Sequence, residues 1–143
     1  MDLSVLYFCL RVFCARKVVN MVRQNLFRAF FCILVGFSMV ILWIMLLVTN
    51  QVAELNPSPF TTITHITAET LTGICLIIAG ISLLRGSNWA NRFFLFASGL
   101  LVYAAVQATG YYIDHPGPLF VTLFIFMIII TALFVYRQLR LKD

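Results

Sequence analysis

Charge is what this sequence has least of. Only 10% of its 143 residues are charged and 62% are hydrophobic, where a soluble globular domain has about a quarter charged and about half apolar. Too little polar surface remains to coat a water-soluble particle of this size, so lipid is the expected solvent. Acids are scarcer still, five Asp and Glu against ten Lys and Arg. The excess of positive charge does not point to nucleic acid. The basic residues stand at the ends of apolar blocks rather than along a polar, aromatic-interleaved surface, which is the placement of topology signals facing anionic headgroups.

Familiar membrane chemistries are missing too. The four cysteines, Cys9, Cys14, Cys32 and Cys75, include no C-x-x-C pair. None falls in a segment expected outside, where disulfides persist, so a disulfide-generating quinone reductase is excluded. They read as small apolar filler or, near the inner surface, as palmitoylation sites. Ser38, Ser82 and Ser98 have no histidine at matching depth, as an intramembrane serine protease requires. Small multidrug exporters carry their essential carboxylate in the first span, and the first apolar block here has no acid. Asn56-Pro57-Ser58 is no glycosylation sequon, because proline occupies the middle position.

What is present is four long apolar blocks. The sequence predicts an all-α integral membrane four-helix bundle with spans at about 29–49, 64–84, 93–113 and 119–136. About 20 residues at 1.5 Å each match a hydrocarbon core of about 30 Å. The first block is too long for a signal peptide and is followed by no clear A-x-A cleavage site. Asn50, Asn56, Pro57 and Pro59 separate it from the second block, with Thr61, Thr62 or Thr64 as caps. His115-Pro116-Gly117-Pro118 turns the chain into the fourth. Short links make consecutive helices antiparallel neighbours.

Lys and Arg set the orientation. Arg11, Arg16, Lys17, Arg23 and Arg28 precede the first span, Arg85 and Arg92 lie between the second and third, and Arg137, Arg140 and Lys142 follow the fourth. The loops at 50–63 and 114–118 contain none. The positive-inside rule therefore predicts both termini on the cytoplasmic side, in the cytoplasmic membrane of a bacterium or archaeon. Residues 1–24 form a separate basic segment before the bundle at 25–143. Leu3, Tyr7, Leu10 and Phe13 alternate with Arg11, Arg16 and Lys17 as in an interfacial amphipathic helix. The alternative is that translation starts at Met21.

The basic inner ends provide a depth ruler. Glu69 stands 16 residues from Arg85, roughly 24 Å along a helix, and His65 stands 20 away, roughly 30 Å. Gln107 is 15 residues from Arg92 and Tyr111 is 19, roughly 22 and 28 Å; Thr122 is 15 from Arg137, roughly 22 Å. A polar layer thus forms near the outer face, with His65, Tyr111, Tyr112, Asp114 and His115 at its rim. Only Thr70–Leu84 separates Glu69 from Arg85, too few residues to span, so the second helix must carry Glu69 inside its outer end. An acid there is costly unless paired, protonated or facing a wet cavity.

His65, Glu69, Gly73, Leu76 and Gly80 share one helix face; Gly99, Tyr103, Gln107 and Tyr111 share another. Small residues on both faces predict that the second and third helices pack together there, with Glu69 near Gln107 and Tyr103 below. Glu69, His65, Gln107, Tyr103 and Tyr111 are the candidate ligand-binding or proton-coupling set. His65, Glu69, Asp114 and His115 are a sparse metal-ligand set, and His65 with His115 a bare haem pair. No cofactor is required by the sequence; quinone, haem and metal stay open. Trp43, Tyr111 and Tyr112 read as interfacial anchors before a ligand-stacking set, and Trp89 as the inner anchor.

The stretch Glu69-x3-Gly73-x6-Gly80-x4-Arg85, followed by the apolar Phe93–Val106 helix, resembles the second and third helices of DoxX-like four-helix membrane proteins. The resemblance implies a small subunit or partner of quinone-linked or sulfur-redox systems. With little mass outside the spans and no complete catalytic set, the leading expectation is a non-catalytic subunit or partner of a larger membrane complex, meeting the lipid bilayer and other membrane subunits or itself. The alternatives are an outward-facing ligand-binding or proton-coupled transport protein, and a quinone- or haem-binding redox subunit.

Overall fold

A computed structural model describes residues 3–49, 59–114 and 118–140 of the chain. Their backbone is all-helical: α1 (Leu3–Val48), α2 (Pro59–Leu84), α3 (Ala90–Asp114) and α4 (Pro118–Arg140). Each contains a stretch long and apolar enough to cross a membrane, at Arg23–Val48, Thr62–Leu84, Ala90–Gly110 and Pro118–Arg140. All four begin earlier than the apolar blocks read from sequence, and the fourth ends later, because flanking polar and basic residues continue the helices; the first and third end one and three residues sooner. α1 runs unbroken from Leu3, through the basic N-terminal residues, into the first apolar stretch.

The exterior is apolar, the reverse of a soluble bundle. Phe30, Met45, Phe60, Leu119 and Phe126 are all exposed. The interior is a narrow cluster of Ala29, Cys32 and Val35 from α1, Leu76, Ala79 and Leu83 from α2, and Ala90, Phe94, Ala97 and Leu101 from α3. Met127, Phe134 and Val135 of α4 pack against it, with the Phe134 ring edge-on to Phe31 at 5.3 Å. On α4 only Thr131 and Gln138 are fully buried, so this helix is the least enclosed.

Glycine sets how closely α1 and α2 approach. A Cβ built on Gly36 would lie 2.5 Å from the Gly73 carbonyl oxygen and 2.8 Å from Ile77 Cγ1. One built on Gly80 would lie 2.8 Å from the Ala29 carbonyl oxygen. Backbone meets backbone along this seam, the packing mode of membrane helices whose apolar side chains gain little over lipid. The glycines read from sequence as the α2–α3 contact therefore face α1. Gly99, assigned to the same contact, has nothing within 4 Å of a built Cβ. Helical spacing identifies which residues share a face but not which neighbour that face meets.

The α2–α3 link is a tight reversal. Gly86 has φ +65°, its N–H donates to the Leu83 carbonyl at 3.3 Å, and the Ser87 N–H donates to the Ser82 carbonyl at 3.2 Å. This pair is the Schellman arrangement, which satisfies orphan carbonyls at a helix end and favours glycine at its left-handed position. The Ser87 carbonyl then accepts from the Ala90 N–H at 3.0 Å, starting α3.

Candidate functional site

The glycine seam fixes a register, and the register delivers a side chain. Gly36 opposes Gly73 and Ile33 opposes Gly80. Two helical turns on from Gly36 toward the end of α1 stands Trp43, and one turn back along α2 from Gly73 stands Glu69, so the longer indole side chain reaches back to the carboxylate. There the Trp43 indole Nε1–H donates to Glu69 Oε2 at 2.7 Å. The other carboxylate oxygen, Oε1, lies 3.1 Å from His65 Nε2, one turn earlier on α2. A carboxylate only accepts, so Nε2 carries the hydrogen in this pair. The imidazole also stands edge-on to the Trp43 ring, at 84° with centroids 5.9 Å apart. Three side chains from two helices thus lock one another.

Both oxygens of Glu69 are partnered, which answers how an acid is carried in an apolar helix: a buried polar group costs little when its hydrogen bonds are made. Its side chain is 15% exposed and that of His65 44%. That His65 and Glu69 share a helix face is legible in the sequence; the Trp43 contact is not, because a place near a span end reads as an interfacial anchor. The signal that could have found it is Gly36, one glycine on the same face of α1, matching the glycines of α2.

Tyr103 and Gln107 lie across from this lock on α3. Together with His65, Ala68, Glu69, Thr72 and Ala104 they line a small cavity of about 20 Å³, room for about one water molecule. The Thr72 hydroxyl donates to the Ala68 carbonyl at 2.8 Å. Gln107 does not bond Glu69. Its Nε2 donates to the Tyr103 hydroxyl oxygen at 3.0 Å, and both residues are exposed beside that cavity. Glu69, His65, Gln107 and Tyr103 are therefore brought to one place, as two separate hydrogen-bonded groups.

The remaining candidates do not join them. The side chains of Tyr111 and Asp114, and His115 altogether, lie outside the described residues. Among the described residues no group of three or more His, Cys, Asp or Glu side chains converges as metal ligands would. Tyr112 stacks on Phe120 at 4.8 Å, tying α3 to α4. Trp89 packs edge-on against Phe93 at 5.2 Å beside the α2–α3 turn.

No curated protein and no solved structure matches this chain. Residues 22–143, which include Trp43, His65, Glu69, Tyr103 and Gln107, match a domain of unknown function, and the chain belongs to that family, DUF8058.

Proposed function

We propose that this protein is a four-span subunit of a membrane complex, non-catalytic in itself, that meets its partner through the exposed Tyr103–Gln107 pair of α3. It lies in the cytoplasmic membrane with both termini inside. The observation that carries the partner reading is the Tyr103–Gln107 pair. Tyr103 stands 11 residues from Arg92, roughly 16 Å along α3 and so near the middle of a 30 Å core. It is 62% exposed there. Beyond their mutual bond, the hydroxyl hydrogen and Gln107 Oε1 have no partner among the described residues. Hydrocarbon satisfies neither group, and unsatisfied polar groups in lipid are costly. A neighbouring helix satisfies both, and Gly99 and Gly110, unobstructed on the same helix, let its backbone approach.

The resemblance of Glu69–Val106 to DoxX-like proteins makes a membrane redox enzyme the first place to look for the partner. The test is the size of the particle in mild detergent. The expected result is a complex well above the 16.3 kDa chain, lost in Tyr103→Phe combined with Gln107→Leu. A monodisperse monomer at every detergent concentration sinks the reading. Orientation is read separately: a fluorescent protein fused to the C-terminus should fold in the cytoplasm, and a dark fusion reverses the topology.

A second reading is proton coupling at Glu69, favoured by the His65 imidazole that bridges the enclosed carboxylate to the exterior. The one-water cavity fits a proton path and is too small for an organic substrate. Glu69→Gln in proteoliposomes should abolish a pH-gradient-driven response; an unchanged flux removes this reading.

A further inference from the structure

The middle of α1, at Gln24–Arg28, and the C-terminal end of α4 line a cationic cleft that the lock around Glu69 does not use. Its centre is Arg28, only 4% exposed. Arg28 Nη2 donates to Asn25 Oδ1 at 2.6 Å, Nε donates to the Gln24 carbonyl at a long 3.4 Å, and Cζ lies 5.6 Å from the centroid of the buried Phe94 ring. Nη1 is closed to solvent and has no acceptor among the described residues. An arginine stays protonated in proteins, so among the described residues a charge is enclosed with neutral partners only. Among the described side chains Glu69 is the sole carboxylate, and it is committed to Trp43 and His65 at the other end of the helices. A buried charge without a counter-ion is strongly unfavourable.

Beside Arg28 opens a cleft of about 250 Å³ lined by Gln24, Phe27, Arg28, Phe134 and Arg137. It has a second cation, a neutral amide, two aromatic walls and no acid. We infer that this cleft binds the phosphate of an anionic membrane lipid, held between Arg28 and Arg137. Guanidinium groups grip phosphate oxygens in pairs through their planar fork, and basic pockets between helices on the cytoplasmic side of membranes take such headgroups. The cleft is smaller than a lipid, so the acyl chains run out past Phe27 and Phe134 onto the apolar exterior. Because Nη1 is sealed from solvent, binding requires the guanidinium to turn toward the cleft, exchanging an unmade hydrogen bond for a charged one.

This inference rests on the membrane reading but not on the partner. The full chain in neutral detergent is titrated with phosphatidylglycerol, phosphatidylcholine or inorganic phosphate, following thermal stability and lipid retention by native mass spectrometry. Phosphatidylglycerol should raise the melting temperature and be retained; phosphatidylcholine should do neither. Arg137→Gln should weaken the phosphatidylglycerol effect about fivefold, one cation's share at a lipid surface. Arg28→Gln should remove the preference. If that variant does not fold, the exposed Arg137 decides alone. Equal response to the two lipids, or a preference unchanged in Arg137→Gln, overturns the proposal. A rise with inorganic phosphate equal to that with phosphatidylglycerol overturns the lipid assignment in favour of a soluble phosphate. Carbonate-resistant membrane association is scored in parallel, so failure of the lipid site is distinguishable from failure of the membrane reading.

Discussion

Trp43 and Glu69, 26 residues apart in sequence, are joined by a 2.7 Å hydrogen bond from indole to carboxylate across the α1–α2 seam. The bond makes the outer end of this helix pair depend on one donor and one acceptor.

Replacing Trp43 with Phe removes the donor and leaves one oxygen of an enclosed carboxylate unpartnered. A loss of about 1–2 kcal/mol is expected, between the average for membrane hydrogen bonds and the value for charged acceptors. Glu69→Gln keeps an acceptor for the indole and should cost less than Glu69→Leu. Thermal melts in detergent rank the three. In a Trp89→Phe background, Trp43 emission reports the bond directly. Identical spectra for wild-type Glu69 and Glu69→Leu in that background count against it.

Gly36 and Gly99 should respond oppositely to an added side chain. Gly36→Val drives a side chain into the Gly73 carbonyl and Ile77, and overpacking of this kind costs about 1–3 kcal/mol. It should also shift Trp43 emission by forcing the seam apart. Gly99→Ala meets nothing within 4 Å and should leave the monomer as stable or raise stability by up to about 1 kcal/mol. If both variants melt alike, glycine is not what sets the α1–α2 distance.

Gly86 separates conformation from packing. Its φ of +65° is strained for an L side chain, yet a built Cβ has open space around it. Gly86→Ala should therefore cost about 1 kcal/mol through backbone strain alone. Gly86→Asn should cost less, since asparagine tolerates the left-handed region. Melting temperatures in the order Gly, Asn, Ala are the expected outcome, and equal values for all three would remove strain as the cause.

Four helices were legible because each apolar block is a bilayer's length and is bounded by prolines or basic residues, signals that act locally. The distance of Glu69 from Arg85 along α2 was legible for the same reason: counting residues along one helix needs no tertiary information. Its partner Trp43 was not, because a contact across 26 residues depends on the register of two helices, which glycines set only once the neighbour is known. The same ambiguity sent Gly73 and Gly80 to the wrong helix. Arg28 was read as one topology signal among ten basic residues, and nothing in its sequence neighbourhood announces that Phe94, from a different helix, would cover it.

The unequal enclosure of the four helices bears on how the protein is made. α1 and α2 meet backbone to backbone and share a side-chain lock, so we expect them to pair as a hairpin before α4 is made. α3 follows at once through its five-residue link. α4, with two fully buried residues, arrives last and has least to hold it. We expect a chain split between α3 and α4 to reassemble from separately expressed pieces, whereas a split between α1 and α2 should leave both pieces to degradation. The order of assembly expected for this small protein follows the gradient from glycine seam to least enclosed helix.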